Sequence, residues 1–310
     1  MKFAMVFPGQ GSQSVGMLKG YDGLPGVEEL RNEVRSFDES FLKLLDEGPA
    51  EQLNLTVNTQ PAMVTAAIAA YRGWRGLGGA EPAIVAGHSL GEYSALVAAG
   101  ALSLKDALPL VRYRAQSMQD AVPEGTGAMA AILGLDEKGA MDACAEAAQG
   151  EVVQAVNFNA PGQVVIAGHK AAVARAIEAC KARGAKRAMP LPVSAPFHSS
   201  LMKPAGEKLK EYLKKVSLGS PAISLINNVD VRTEANPEAI KDALVRQAAS
   251  PVRWIETIKA MAAQGVTHVV ECGPGKVLAG MVKRIDPALT GIAAADKASL
   301  EQALATIQGS

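Results

Sequence analysis

The stretch AIVAGHSLGEYSALVAAG, residues 83–100, imposes the tightest condition on how this chain can fold. A short apolar run ends at Gly87, Ser89 follows, and after Gly91 comes a run of small residues suited to a closely packed helix. A strand that enters a helix through Gly-x-Ser-x-Gly must bend sharply and present the serine at the bend. Ser89 is the only serine here with glycine two places before and two places after it. Because the chain has 30 glycines, the pattern alone leaves a second reading open, a serine that caps the helix N-terminus.

The surrounding sequence repeats the order of strand, turn and helix, which is the grammar of α/β folds. KFAMVF at residues 2–7 reads as a buried strand running into the glycine-containing loop PGQGSQSVG. A helix is expected from Thr59, with Pro61 in its first turn and apolar residues up to Trp74. SLKD, from Ser103, caps another helix whose apolar residues Leu104, Leu108, Val111, Ala115, Met118 and Val122 recur at steps of three and four. PEGTG at residues 123–127 is the strongest break. Beyond it, to about Val193, the pattern reads βαββαβ. Helix, strand and glycine-turn signals then resume through KVLAGMVKRI, residues 276–285. The expected architecture is α/β, a large α/β-hydrolase-like domain with a mostly parallel sheet plus a smaller ferredoxin-like βαββαβ inserted domain. The domain limits are 1–124 and 197–310 for the large part and 125–196 for the insert.

Composition narrows the function. At 310 residues with 48% hydrophobic and 20% charged residues, the chain is of ordinary globular type and long enough for two cores. Lys+Arg and Asp+Glu both number 31, so no global positive field exists to hold nucleic acid or an anionic membrane. Cys144, Cys180 and Cys272 are widely spaced, which argues against a disulfide framework or a zinc site and for a reducing compartment. MKFAMVFPGQ is too short an apolar run for a signal sequence, so the cytoplasm is the expected location.

A serine hydroxyl attacks poorly until a base takes its proton. Of the four histidines, His88 is adjacent to Ser89 and projects away from it on a sharp bend, while His169 and His268 stand at element entrances. His198 lies in a Pro- and Ser-rich loop directly after the βαββαβ segment, where catalytic groups concentrate. It is the preferred base, against the plain reading of a surface-loop histidine.

FPGQGSQ at residues 7–13, GHSLGEYSA at 87–95, VRYRAQSMQ at 111–119, PFHSSLM at 196–202 and ECGPGKVL at 271–278 together resemble the bacterial malonyl-CoA:acyl-carrier-protein transacylases of fatty acid synthesis. Acyltransferase domains of modular polyketide synthases share that architecture. The resemblance spans nearly the whole chain. It implies that Ser89 is the nucleophile, that His198 is the general base and acid, and that the backbone N–H groups of Gln10 and Leu90 form an oxyanion hole. It also implies that the backbone carbonyl of Gln247 orients the histidine, in place of a third carboxylate. A malonyl group carries a free carboxylate and so requires a cation. On the helix, Arg112 and Arg114 flank the apolar stripe equally and periodicity does not choose between them; the resemblance selects Arg114, leaving Arg112 as a solvated salt-bridge residue. Phe197 matches the position associated with malonyl over branched units, with core packing as its plain reading.

No cofactor and no metal are expected. PGQGSQSVG has Ser14 where a dinucleotide fingerprint requires glycine, and GPGKVL lacks phosphate-loop spacing, which leaves Lys276 as a surface charge. The implied partners are malonyl-CoA and the phosphopantetheine arm of acyl carrier protein, with no nucleic acid, no membrane and a monomeric chain. Arg183, Lys186, Arg187 and Lys203 are candidates for docking an acidic carrier, although solvated surface is the favoured reading of each. Two rival functions use the same residues: a serine hydrolase or thioesterase acting on acyl-CoA or acyl-carrier protein, and a non-catalytic carrier-binding scaffold in which the bend is only a turn.

Overall fold

The computed structural model describes residues 1–193 and 195–309; Ser194 and Ser310, which fall inside the expected domain limits, lie outside the described residues. Among the described residues nine strands form two sheets. The first is wholly parallel, built from β1 (Phe3–Phe7), β2 (Ile84–Gly87), β7 (Ser224–Ile226), β8 (His268–Cys272) and β9 (Thr290–Ala294) in the order β7-β2-β1-β8-β9. The second is antiparallel, with β3 (Gly127–Leu133), β4 (Val153–Ala160), β5 (Gln163–His169) and β6 (Arg187–Pro190) in the order β4-β5-β3-β6.

Strands β1 and β2, inside the parallel sheet, are buried on both faces, which explains why they are continuous apolar runs without alternation. Phe3, Met5 and Phe7 of β1 join one core with the helix Thr56–Gly76 and the helix Gly91–Ala98. Ala4 and Val6 join the opposite core with Trp254, Ile258 and Met281. The antiparallel sheet packs Ile132, Val164 and Ile166 under the helices Glu137–Ala148 and Lys170–Ala182. Its other face contributes Met129, Val165 and Ala167 to a cluster with Met118, Phe197 and Met202. That second face closes over the C-terminal end of the parallel sheet. Strand β4 is anchored there, since the Phe158 N–H donates to the Val252 carbonyl at 3.0 Å and the Val252 N–H to the Val156 carbonyl at 2.8 Å.

Several boundaries differ from the sequence-based expectation. The helix placed at Thr59 begins at Thr56, because the Asn58 and Thr59 N–H groups already bond to the Leu55 carbonyl, so Pro61 falls in the second turn. The final strand of the βαββαβ unit, expected to run to about Val193, is Arg187–Pro190. The helices Val27–Phe37 and Glu39–Glu47, strand β9 and the helix Lys297–Gln308 were not read from the sequence. Ser103 does cap its helix, its Oγ accepting from the Asp106 N–H at 3.0 Å. Among the described residues no helix is long and apolar enough to cross a membrane, and no group of three or more His, Cys, Asp or Glu is placed to hold a metal ion.

The two glycines around Ser89 answer to the crossing of helix and sheet. A Cβ on Gly87 would lie 1.8 Å from the Gly91 carbonyl carbon, and one on Gly91 would lie 2.1 Å from the Phe7 oxygen. The crowding is thus against backbone. Gly87→Ala should cost more than about 3 kcal/mol, the upper range for overpacking. Gly78→Ala, at φ 82 with nothing within 4 Å of the added carbon, should cost only about 1–2 kcal/mol of backbone strain. Urea unfolding of both variants checks this; equal losses would show that the crossing tolerates a methyl group.

Candidate active site

Ser89 sits at φ 52, in the left-handed region that side-chain-bearing residues avoid. The bend leaves its hydroxyl outside the helix Gly91–Ala98, whose N-cap is Leu90 and which has no side-chain cap. The hydroxyl is therefore not spent on capping. Ser89 Oγ lies 2.6 Å from His198 Nε2. His198 is itself at φ 65 and only 4% exposed, so it is a buried residue and not a surface-loop one. Its Nδ1 is 2.9 Å from the Gln247 carbonyl oxygen. A carbonyl can only accept, so Nδ1 carries the proton and Nε2 is left with a lone pair toward the serine.

Burial, reinforced by the nearby Arg114 charge, pushes the His198 pKa down to about 3. The imidazole is thereby held neutral, the form that can accept a proton. His88, half-buried, points elsewhere: its Nε2 is 2.7 Å from Asn159 Oδ1 and its ring meets Trp254 edge-on at 5.4 Å. His169 Nδ1 accepts from the Val152 N–H, and His268 Nδ1 lies beside the Thr267 hydroxyl.

The structure separates the two arginines that helical periodicity left equal. Arg112 bonds Asp38 at 2.9 Å and stacks over Phe37 and Phe41. Arg114 is 1% exposed, over the Tyr93 ring, with Nη1 donating to Gln60 Oε1 at 2.8 Å and Nη2 to Gln247 Oε1 at 2.9 Å. Nη2 also lies 3.3 Å from Ser89 Oγ. Among the described residues Arg114 makes no ion pair, and a buried cation held by neutral amide and hydroxyl oxygens is unusual outside functional sites. Burial lowers its pKa.

Ser89, His198 and Arg114 line a cavity of about 280 Å³ together with Gln10, Phe197, Met118 and Met129. Gln10 is on the loop after β1, where its side-chain oxygen accepts from the Thr56 hydroxyl at 2.6 Å. Leu90 is buried, and its N–H is the one immediately following Ser89. Neither the Gln10 nor the Leu90 N–H has a hydrogen-bond partner among the described residues. Phe197 is 8% exposed in the cluster that includes Met118 and Met129. Arg183, Lys186, Arg187 and Lys203 are all exposed, and Arg183 pairs with Glu146 at 2.6 Å.

Sequence reasoning missed the groups that hold these residues in place. The Asn228 side chain brackets the bend: its Oδ1 accepts from the Ser89 N–H at 2.7 Å and its Nδ2 donates to the Gly87 carbonyl at 2.6 Å. Gln247 Nε2 donates to the Ser89 carbonyl at 3.0 Å and to Glu92 Oε2 at 2.9 Å. Glu92 also accepts from the Asn228 N–H at 3.1 Å, and burial lifts its carboxyl to about 7. A signal existed for Glu92, the one charged residue in the otherwise uncharged stretch GEYSALVA. Gln60 and Asn228 gave none beyond being polar in apolar surroundings.

Comparison with known proteins agrees with this geometry. Residues 4–298 match the family described as acyl transferase domain. The malonyl CoA-acyl carrier protein transacylase of Escherichia coli K12 is 56% identical over 305 residues, covering 98% of this chain and 99% of the relative. The crystal structure of an acyl-carrier-protein S-malonyltransferase from Burkholderia pseudomallei 1710b superimposes with a TM-score of 0.96 at 62% identity, covering 98% and 99% of the two chains. A malonyl-transacylase solved in complex with a holo type II PKS acyl-carrier protein gives a TM-score of 0.96 at 52% identity, covering 99% and 100%. The chain belongs to the acyl transferase family, among the malonyl-CoA:acyl-carrier-protein transacylases.

Proposed function

We propose that this protein transfers the malonyl group of malonyl-CoA to the phosphopantetheine thiol of acyl carrier protein, supplying malonyl-carrier for fatty acid elongation, through a malonyl ester on Ser89. The observation that carries the reading is a nucleophile and base 2.6 Å apart with an unpaired, buried guanidinium 3.3 Å from the same hydroxyl. A hydrolase needs the first pair alone; an acyl group that ends in a carboxylate accounts for the third member.

In the first half-reaction Ser89 gives its proton to His198 Nε2 as Oγ bonds to the thioester carbon. The Gln10 and Leu90 N–H groups receive the charge that develops on the carbonyl oxygen, a service worth about 3–4 kcal/mol per donor in comparable sites. Collapse breaks the C–S bond, and the departing CoA sulfur takes the proton from His198. In the second half the carrier thiol gives its proton to His198 and attacks the ester carbon, and Ser89 recovers the proton as its C–O bond breaks. The Gln247 carbonyl stabilises the imidazolium in both halves, so no third carboxylate is required. Arg114 takes the malonyl carboxylate through parallel N–H bonds and fixes the thioester over Ser89. Phe197, with Met118 and Met129, limits room for a branched acyl chain.

We read residues 1–124 and 197–310 as an α/β-hydrolase-like unit, supported by the serine at a strand-to-helix bend of a parallel sheet. Residues 125–196 are ferredoxin-like, a reading supported by the strand order β4-β5-β3-β6 with two helices on one face.

Intact mass after mixing with malonyl-CoA should show one added malonyl group on the Ser89 peptide and none in Ser89→Ala, followed by transfer of label to holo carrier protein. Rapid release of free malonate with an unlabelled carrier would instead favour the thioesterase reading, and no adduct at all would favour the scaffold. His198→Ala should slow acylation by about 10²–10⁴-fold, the usual range for a general base, and far more than His88→Ala.

Arg114→Ala should lower kcat/KM for malonyl-CoA relative to acetyl-CoA by about 1.5–3 kcal/mol, the range for a charged hydrogen bond; an unchanged ratio of the two would reassign this arginine.

Because the His198 pKa is depressed well below 6.5, the base stays neutral through the ordinary imidazole range. The acid limb of kcat/KM should therefore be absent between pH 8 and about 5, measured in Glu92→Gln to remove a carboxyl that titrates near 7. By the same sign, the contribution of His198 to stability is full above 6.5 and declines below it, where the unfolded imidazole takes up a proton that the folded one refuses. A limb at 6.5 in that variant would show a solvated base.

A further inference from the structure

We infer that Glu92 is a positioning residue for substrate selection, fixing the side-chain amide of Gln247 so that its oxygen, and not its nitrogen, faces Arg114. The inference deepens the reading of Arg114 as the malonyl carboxylate site and rests on it.

The side-chain amide of Gln247 lies between two charges of opposite sign. Its oxygen accepts from Arg114 Nη2 at 2.9 Å and its nitrogen donates to Glu92 Oε2 at 2.9 Å. An amide has one acceptor end and one donor end, so turning it over would aim N–H at a guanidinium and oxygen at a carboxylate. In its ionised form the buried carboxylate accepts only, and this forbids the reversed state. The Ser89 carbonyl, which accepts from the same Nε2 at 3.0 Å, favours the same orientation but belongs to a strained residue and has no charge. Glu92 itself is held: it is 1% exposed and receives the Asn228 N–H at 3.1 Å. Its backbone N–H donates to the Ser89 carbonyl at 3.1 Å as part of the helix start, but among the described residues its side chain touches neither Ser89 Oγ nor His198 and reaches the reacting atoms through Gln247 and Asn228. An amide at position 92 removes the constraint, because it can offer N–H to a reversed Gln247. Arg114 Nη2 then faces a donor and turns away from its place beside Ser89.

The experiment measures transfer from malonyl-CoA and from acetyl-CoA to holo carrier protein by the full-length Glu92→Gln, Glu92→Asp and Arg114→Ala variants. The ratio of kcat/KM values for malonyl over acetyl should fall by roughly tenfold or more in Glu92→Gln, as expected when a charge-assisted contact is lost. It should recover at least partly in Glu92→Asp, which keeps a group that only accepts. A purely structural role would lower both substrates together and leave the ratio within about threefold of the parent, and that outcome overturns the inference. If Glu92→Gln does not fold, Gln247→Met removes the same amide while keeping its backbone carbonyl for His198. The ratio must then fall in that variant; an unchanged ratio overturns the inference by this route. Arg114→Ala separates the two levels. A preserved ratio there sinks the carboxylate reading itself, whereas a fall in Arg114→Ala without one in Glu92→Gln sinks only the role of Glu92.

Discussion

The left-handed backbone at Ser89 is the constraint from which the rest of the site follows. That conformation costs a residue with a side chain about 1–2 kcal/mol, and it persists only where the surroundings over-determine it. Three groups do so here. Asn228 holds the Ser89 N–H and the Gly87 carbonyl, Gln247 holds the Ser89 carbonyl, and the helix beginning at Gly91 crosses β1 closely enough to exclude a Cβ. Asn228 can reach the bend because it stands just past β7, which pairs with β2, the strand that ends at Gly87. The order of the parallel sheet is thus a condition for presenting one hydroxyl.

The antiparallel sheet serves the same end from above. Its helix-free face supplies Met129 and Val165 to the cavity, and the chain leaves it at Pro190 to deliver Phe197 and His198 over Ser89. Edge pairing of β4 with Val252 ties this sheet to the segment that follows Gln247. The histidine and the carbonyl that orients it therefore come from opposite sides of one joint between the two sheets. A shift of that joint would act directly on the 2.9 Å contact between them.

Much of this was legible in the sequence because local rules carried it. Ser89 was marked by its glycines, strands β1 and β2 by uninterrupted apolar runs, and the helix from Ser103 by its cap. The antiparallel unit was marked by its own alternation of short elements after PEGTG. What stayed hidden depends on contacts between distant segments. Arg112 and Arg114 are symmetric on their helix and differ only because Asp38 and two phenylalanines cover one side. Gln60, Asn228 and Glu92 take their meaning from partners up to 155 residues away, with Glu92 to Gln247 the longest of these links. The start of the helix near Pro61 was misplaced because a proline read as a first-turn residue is tolerated in the second.

The electrostatic design of the pocket turns on distance between charges. A buried guanidinium in direct contact with a carboxylate of the protein would already be satisfied, and an incoming carboxylate would have to displace that partner before gaining anything. Here Glu92 is separated from Arg114 by the Gln247 amide, while the guanidinium itself donates to the neutral oxygens of Gln60, Gln247 and Ser89. The negative charge is near enough to favour the protonated arginine in a buried site, since Glu92 opposes the lowering of its pKa. It is far enough to leave the N–H groups unclaimed by a competing anion. Compensation through a neutral amide keeps the cation charged without quenching it, so that binding of a malonyl carboxylate, and not of an uncharged acyl group, completes the pair.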